Sequence, residues 1–308
     1  MDAAGLGDSL RAMLVLVREH EDELNRLNVF PVRDHDTGTN MALTLEGVVR
    51  AVEASGGRPV RELAAAVVDA ALLEARGNSG TILAEVLRGL FETWAPLGEV
   101  GPYDLARGFR AAAERAEQAV LEPVEGTILT VVRATADALE QRHAADVAAL
   151  LAAAAEVAGR AVEATTEQLE VLRRAGVVDA AARGFELCVR AFAATAAGQP
   201  VPEAGRRAAE RPDAKATAGP TGTAHGPRPA RGGPAFEVQY LLACGEQDAE
   251  ELKACLAGIG ESIAVARTDG LYRIHVHTDH AGAAIEEAVR RGATSQIQVA
   301  CLGSPAPG

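Results

Sequence analysis

The sequence has few aromatic residues, few cysteines and fewer basic than acidic residues. Phe, Trp and Tyr together make up only 3% of the 308 residues, so any core must be built from aliphatic side chains. Hydrophobic residues nevertheless reach 48%, which excludes a chain that is disordered throughout. Because alanine is the best helix former, this aliphatic and alanine-rich composition favours helices.

The shortage of basic residues excludes one class of partner. Lys and Arg number 30 against 43 Asp and Glu, which gives a net charge of −13. Proteins that bind DNA or RNA need a basic surface that replaces the counterions of the phosphates. We therefore expect no nucleic-acid partner.

The four cysteines, at positions 188, 244, 255 and 301, share no Cys-x-x-Cys spacing. They predict neither a disulfide framework nor a four-thiolate zinc site. The first residues lack a basic segment, and their apolar run is too short for a signal peptide or a membrane span. We expect a reduced, cytoplasmic protein without a membrane span.

A stretch rich in Pro, Gly and Ala divides the chain into two unequal parts. Seven of the 14 prolines lie between Pro200 and Pro234, and no apolar period runs through this stretch. Such a composition is typical of a flexible linker. The predicted organisation is a domain at residues 1–197, a linker at 198–234 and a second domain at 235–308.

Before the linker, apolar residues recur at i, i+3 and i+4, which is typical of amphipathic helices. Gly and Pro punctuate the intervals between these segments. The pattern predicts an all-helical domain. Its eight predicted helices span residues 8–27, 38–55, 60–75, 79–94, 103–120, 126–141, 145–173 and 178–197.

After the linker the pattern changes to short β-rich segments. Two helical patterns, at 248–258 and 281–291, separate them. The order β-α-β-β-α-β predicts a small ferredoxin-like α+β domain with two helices on one face of an antiparallel sheet. Its predicted strands span residues 236–244, 262–267, 271–278 and 295–302.

The strongest chemical signal lies between the first two predicted helices, in NVFPVRDHDTGTNM. Asp34 and Asp36 alternate in a short loop, and Asn28 lies just upstream. Alternating carboxylates in an irregular loop suit hard divalent cations, whose ligands are oxygen atoms. An EF-hand is excluded because its required Gly and Glu positions hold Thr39 and Leu45.

The residues that follow this acidic pair predict a seat for phosphate. Thr37, Gly38 and Thr39 offer backbone N–H groups and hydroxyls at a helix N-terminus, and Asn40 lies just inside that helix. An acidic pair next to a phosphate seat predicts a site for a metal–nucleotide complex. A solvated turn with an Asp or Thr cap is the competing interpretation.

Three further motifs, ARGNSG (75–80), PVEGTILT (123–130) and GVVDAAARG (176–184), also lie at helix–helix junctions. In an up-and-down bundle alternate junctions share one end, so the four motifs can converge on one ligand. Taken alone, ARGNSG is equally consistent with a simple helix cap. The candidate residues in these motifs are Asn78, Ser79, Gly126, Thr127 and Asp179.

In the second domain, His275, His277 and Asp279 alternate along one predicted strand, which places them on one face. Two histidines on one face can bind Zn²⁺ together with a third ligand. A pair of buried, hydrogen-bonded histidines is the alternative. The candidates for a third zinc ligand are Glu237, Cys244 and His280.

Taken in order, the four junction motifs resemble the nucleotide-binding domain that fatty acid kinase catalytic subunits share with the ATP-binding subunit of dihydroxyacetone kinase (the DhaL-type domain). The resemblance covers about residues 5–197. The stretch FEVQYLL…LYRIHVHTDHAG is similar to the middle domain of the fatty acid kinase family. The resemblance implies an eight-helix antiparallel barrel that closes around ATP and two Mg²⁺ ions, and NVFPV and PVEGTIL favour the fatty acid kinase branch.

By this resemblance the Mg²⁺ ligands are Asn28, Asp34 and Asp36. The implied catalytic residues are Asp34, Asp36 and Thr39. The implied nucleotide-binding residues are Thr37, Gly38, Thr39, Asn40, Asn78, Ser79, Gly126, Thr127 and Asp179. The chain departs from the family at Arg33 and His35, where Pro and Gly are usual, and at Glu237, where Cys is frequent.

The resemblance also implies an activity. It is an ATP-dependent transfer of the γ-phosphoryl group to the carboxylate of a fatty acid held by a separate carrier protein, which gives an acyl phosphate. The second domain would then serve dimerisation or docking, so a homodimer is a further expectation. The alternatives are a dihydroxyacetone (glycerone)-type kinase and a nucleotide-binding regulatory protein with little turnover.

Overall fold

The computed structural model describes residues 1–56, 59–142, 146–200, 234–268 and 270–302. Ten helices are described before residue 200, eight of them long and two of them short. These helices, α1 to α10, are Ala3–Glu19, Glu21–Leu27, Thr37–Ser55, Val60–Glu74, Gly77–Trp94, Pro102–Ala119, Ile128–Glu140, Val147–Gln168, Glu170–Ala175 and Ala180–Ala196.

The eight long helices form a closed ring. Each packs against the next in the order α1, α3, α4, α5, α6, α7, α8 and α10, and α10 returns to pack against α1. Short connections make successive helices antiparallel. The predicted eight-helix barrel is therefore confirmed, and its helix–helix junctions alternate between the two ends.

Small residues allow the helices to approach closely. A Cβ atom on Gly89 of α5 would lie 2.5 Å from the Cα atom of Ala112 on α6, a distance that no real side chain tolerates. Because alanine and glycine let neighbouring helices approach this closely, their aliphatic side chains fill the core although the chain has few aromatic residues.

Two of the predicted helices are each interrupted once. The segment predicted at 8–27 breaks at His20, where an acidic first turn starts the short α2, and the segment predicted at 145–173 breaks at Leu169, whose backbone is extended. Neither position carries the Gly or Pro that usually marks such a break. Acidic residues in a first turn are favourable because they interact with the helix dipole.

The residues after 234 form a four-stranded sheet and two helices. The sheet order is β2-β3-β1-β4 and all neighbouring strands are antiparallel, as the ferredoxin-like prediction requires. The elements are β1 (Phe236–Ala243), α11 (Glu246–Ala257), β2 (Gly260–Thr268), β3 (Leu271–Thr278), α12 (Ala281–Arg291) and β4 (Ala293–Cys301).

The two faces of the sheet have different partners. Apolar residues such as Val238, Tyr240 and Ile274 point to one face and pack against α11 and α12. The alternate residues of β1 and β3 are polar but buried, among them Glu237, Gln239, Arg273, His275 and His277. Helices α4 and α5 of the barrel contact β2 and β3, so this second face is turned toward the barrel.

None of the helices in the described ranges combines the length and apolar composition that a bilayer crossing requires. The linker predicted at 198–234 falls almost entirely on residues 201–233, which lie outside the described residues. The exact domain boundaries therefore stay a prediction.

Candidate nucleotide and metal site

One cavity of about 410 Å³ lies where all four motif-bearing junctions meet the polar face of the sheet. The barrel contributes residues of the four motif-bearing junctions, which are numbered first to fourth in chain order, and the second domain contributes residues of β1, β2 and β3. The predicted site residues in its lining are Asn28, Asp34, Asp36, Thr37, Asn40, Asn78, Ser79, Thr127 and Asp179. Alternate junctions do share one end of the barrel.

The loop between α2 and α3 holds the acidic pair. Asn28 donates a hydrogen bond from Nδ2 to Oδ1 of Asp34 at 2.5 Å, while its own Oδ1 is buried and finds no partner among the described residues. Asn28 is only 3% exposed, and Asp36 directly precedes the first residue of α3. Two carboxylates and one unpartnered amide oxygen therefore border the same part of the cavity.

The electrostatics of this pair favour a bound cation. Burial raises the pKa of Asp36 to about 7, and the neighbouring charge of Asp34 adds to the increase. Burial also raises the pKa of Asp34. The described residues that line the cavity include no Lys or Arg, so no side chain there neutralises the two carboxylates.

The donor set fits Mg²⁺ when it is shared with a nucleotide. Carboxylate and amide oxygens suit a hard cation, and Mg²⁺ is usually held by one or two carboxylates together with phosphate oxygens and water. Within the described part of the chain, no three His, Cys, Asp or Glu side chains converge to hold a metal ion by themselves. Asn28, Asp34 and Asp36 would therefore hold Mg²⁺ only jointly with a phosphate ligand.

The predicted phosphate seat is only partly open to the cavity. Thr37 and Asn40 line it. The N–H groups of Gly38 and Thr39 instead donate to Oδ1 of Asn25, at 2.7 and 3.2 Å. The Thr39 hydroxyl donates to Glu21 at 2.7 Å, and neither Gly38 nor Thr39 belongs to the cavity lining. Asn25, a residue that no sequence motif singled out, fixes the start of α3.

The departures from the family pattern in this loop point away from the cavity. His35 has a φ of 60°, the left-handed conformation for which glycine is the usual residue. Its Nδ1 lies 3.0 Å from the carbonyl oxygen of Asn25, and the ring is exposed. Arg33 is also exposed. The left-handed backbone is thus retained without glycine, at a cost of about 1–2 kcal/mol.

The second junction brings Asn78 and Ser79 to the cavity at the start of α5. Gly77 has a φ of 58°, and a Cβ atom at this position would overlap the side-chain amide of Asn40. The Oδ1 atom of Asn78 is buried and has no hydrogen-bond partner in the part of the chain that the structure describes. The glycine therefore permits the close approach of two candidate binding residues from different junctions.

The third and fourth junctions contribute Thr127 and Asp179. The Thr127 hydroxyl donates to the carbonyl oxygen of Val124 at 2.7 Å, and Gly126, whose φ is 82°, lies outside the lining. Asp179 caps α10 by accepting from the N–H of Ala182 at 2.8 Å. It is 5% exposed, and burial raises its pKa to about 6.

The second domain places Glu237, His275 and His277 in the same cavity. The Nε2 atoms of the two histidines lie 3.0 Å apart, and Nδ1 of His275 lies 3.4 Å from Oε1 of Glu237. Burial lowers the pKa of His277 to about 4. Burial also raises the pKa of Glu237 to about 7, with a contribution from the charge of Asp36.

These residues do not support the predicted zinc site. No third ligand joins the two histidines in a metal-binding arrangement among the described residues. Cys244 lines a different crevice, and His280 lies at the start of α12. The polar alternative, a buried hydrogen-bonded pair of histidines, describes the structure better.

Comparison with known proteins identifies the two parts of the chain. The family model of the DAK2 domain matches residues 31–194, which is more than half of the chain. The chain belongs to the DAK2 domain family. The model of the FakA-like middle domain of fatty acid kinase matches residues 233–305 of this DAK2 protein. Both matches agree with the resemblance inferred from the motifs.

Individual relatives of this DAK2 protein cover both parts. An uncharacterized protein of Staphylococcus saprophyticus is 30% identical over 275 residues, which are 85% of this chain and 48% of that protein. Protein YloV of Bacillus subtilis is 28% identical over 306 residues, 97% of this chain and 55% of its own length. The chain thus spans about half the length of these relatives.

Proposed function

We propose that the chain is an ATP-dependent phosphotransferase that passes the γ-phosphoryl group to the carboxylate of a fatty acid held by a carrier protein, giving an acyl phosphate. One observation carries the proposal. Asp34 and Asp36, which no Lys or Arg of the described lining neutralises, lie in a cavity that the four motif-bearing junctions of the DAK2 domain share. The fatty acid acceptor is favoured by the match to the FakA-like middle domain of fatty acid kinase.

The residues of the first junction suit the metal and phosphate part of the reaction. Asn28, Asp34 and Asp36 would hold Mg²⁺, and Thr37 and Asn40 would contact phosphate oxygens at the start of α3. When bound, Mg²⁺ neutralises charge that develops on the transferred phosphoryl group. Phosphoryl transfer depends mostly on positioning and on charge stabilisation, which explains a site built from Asp, Asn and Thr.

The other junctions suit the rest of the nucleotide. Asn78 brings an unpartnered amide oxygen, and Ser79, Thr127 and Asp179 add polar groups to the lining. Val124, Ile128 and Leu129 form an apolar wall of the same cavity. An apolar wall with a few polar groups is the usual environment of a bound nucleobase.

The acceptor is tested by comparing two reactions of the full chain. ATP consumption with Mg²⁺ is measured with a fatty-acid-loaded carrier protein, and separately with dihydroxyacetone and the partner subunit that binds it. Trapping with hydroxylamine detects an acyl phosphate as its hydroxamate. We expect hydroxamate only with the fatty-acid carrier.

The alternative functions give different results in the same experiment. Turnover with dihydroxyacetone and its partner subunit, but not with the fatty-acid carrier, would assign the chain to the glycerone-type kinases. Binding of Mg·ATP without transfer to either acceptor would favour a regulatory protein. An Asp36→Ala variant should lose turnover with the acceptor that the parent uses. Asp8→Asn is its matched control, because Asp8 is an exposed carboxylate on α1 that pairs with Arg11.

A further inference from the structure

The α4–α5 junction is held by side chains of the second domain. Arg273 of β3 donates from Nη2 to the carbonyl oxygens of Leu73 and Ala75, at 3.0 and 2.9 Å. Gln239 of β1 accepts from the N–H of Gly77 at 3.3 Å. The end of α4 and the start of α5 are therefore both bonded to the face of the sheet that is turned toward the barrel.

These bonds add to the hydrogen bond that the barrel itself makes at this junction, from the Arg76 N–H to Oγ1 of Thr44 at 3.1 Å. The last turn of α4 contains no basic residue, and the residue before α5, Arg76, makes no capping side-chain bond. Cations are favourable at a helix C-terminus, and an acceptor is needed for the free N–H groups at an N-terminus. Arg273 and Gln239 supply both groups from a different domain.

The burial of Arg273 points to a specific role. The residue is 1% exposed, and its hydrogen-bond acceptors in the described chain are the two carbonyls and Oε1 of Gln296. Burial lowers its pKa to about 10. Burying a guanidinium is costly unless its donors are satisfied. Nη1 and Nη2 of Arg273 are bonded, whereas its Nε has no hydrogen-bond partner among the described residues, so the two Nη groups fix the orientation of the guanidinium.

The segment that it binds leads directly into the cavity. Asn78 and Ser79 lie within six residues of Leu73 and line the cavity, whereas Arg273 does not. A second contact acts on the third junction, where the N–H of Leu121 donates to the carbonyl oxygen of Ile263 at 3.2 Å. Val120, which itself lines the cavity, forms an antiparallel bridge to Ala264.

Taking the nucleotide from the proposed function, we infer that Arg273 and Gln239 are positioning residues for the nucleotide site. They hold the end of α4 and the first turn of α5 so that Asn78 and Ser79 face the ligand. The second domain thus sets the affinity of the barrel for the nucleotide, in addition to any role in docking a partner.

The test uses the full chain with Arg273→Met and Arg273→Lys. Met keeps much of the apolar length of the side chain but donates no hydrogen bond, whereas Lys keeps donors that reach a carbonyl. Arg267→Met is the matched control, because Arg267 is a half-exposed residue of β2 that pairs with Glu246. Hydrogen exchange at residues 76–80 is measured without ligand, and the Kd for Mg·ATP is measured by calorimetry.

We expect Arg273→Met to speed exchange at residues 76–80 and to raise the Kd for Mg·ATP by about tenfold. Arg273→Lys should recover part of both effects, and Arg267→Met should show neither. Parent-like exchange and parent-like Kd in Arg273→Met would overturn the inference.

Two outcomes keep the test decisive. If Arg273→Met does not fold, Gln239→Leu removes the acceptor of the Gly77 N–H together with the hydrogen bond from Gln239 Nε2 to Glu237, and exchange of the Gly77 N–H is read in the same way. If the parent chain binds no Mg·ATP, the proposed function fails, while the exchange data still decide whether the second domain orders residues 76–80.

Discussion

Asp36 of the barrel and Glu237 of the second domain line the same cavity, where burial and, to a smaller extent, the charge of Asp36 raise the pKa of Glu237. Asp34 lies beside Asp36, and burial, with a smaller contribution from the charge of Glu237, raises the pKa of Asp34. Three carboxylates from two domains thus border one space; Glu237 is buried, and Asp34 and Asp36 are partly buried. Their arrangement indicates that the second domain completes the site.

Replacing Asp36 should remove most of the activity. Asp36→Ala deletes one of the two carboxylates that would hold Mg²⁺, and we expect turnover of ATP to fall by about 100-fold or more. Steady-state ATP consumption with the acceptor that supports the parent measures the effect. Unchanged turnover would remove Asp36 from the reaction, and Asp8→Asn should retain parental turnover.

Removing the charge of Glu237 should stabilise the metal-free protein. Glu237→Gln takes away one of three facing carboxylates, so the repulsion among them falls. We expect the unfolding midpoint without metal to rise by about 2–4 °C. Thermal unfolding at neutral pH measures this change. Glu286→Gln, at an exposed position on α12, should have no effect, and a lower midpoint for Glu237→Gln would contradict the prediction.

Gly77→Ala should damage the site more than a comparable change elsewhere. The new Cβ atom would overlap the Asn40 amide, whereas a Cβ atom on Gly56, which has a φ of 73°, would meet nothing within 4 Å. Both variants introduce the strain of a left-handed residue, about 1–2 kcal/mol. We expect only Gly77→Ala to raise the Kd for Mg·ATP, by about tenfold. Equal Kd values for the two variants would show that the Asn40 contact is irrelevant.

The stability contributed by Asp179 should depend on pH. Its folded-state pKa of about 6 lies above its ordinary value of 3.8, so the protonated acid is favoured in the fold. The favourable contribution is complete below the unfolded pKa and is lost as the pH rises through the folded one. Relative to Asp179→Asn, the parent should therefore lose up to about 3 kcal/mol between roughly pH 4 and pH 7.

Urea unfolding of both proteins across this range measures the difference for Asp179. The Asn side chain keeps an oxygen that can accept from the N–H of Ala182, so the cap itself is retained. A difference in unfolding free energy that does not change with pH would contradict the assigned pKa.

The fold and the barrel side of the site follow from local sequence patterns. Helical periodicity and the Gly and Pro interruptions predict the long helices, and alternation along the chain predicts that their junctions share one end. The breaks at His20 and Leu169 were not predictable, because neither residue has the conformational preference of Gly or Pro. Only tertiary packing distinguishes them from helix interiors.

The contribution of the second domain could be predicted only in part. Period-two alternation places His275 and His277 on one face of β3, and in the structure both residues line the cavity from that face. Alternation does not reveal what packs against a face, so the sequence could not predict that Glu237 lies near Asp36. Arg273, an inward-pointing charge two residues before His275, was the available signal that this face meets polar backbone.

The most direct test of the proposed site is the binding of ATP to the full chain with and without Mg²⁺, compared between the parent and Asp34→Asn/Asp36→Asn. Calorimetry measures the Kd and the stoichiometry. We predict one nucleotide per chain, tight binding only when Mg²⁺ is present, and loss of this Mg²⁺ dependence in the double variant. Equal ATP affinity in both proteins, or no dependence on Mg²⁺ in the parent, would contradict the proposal.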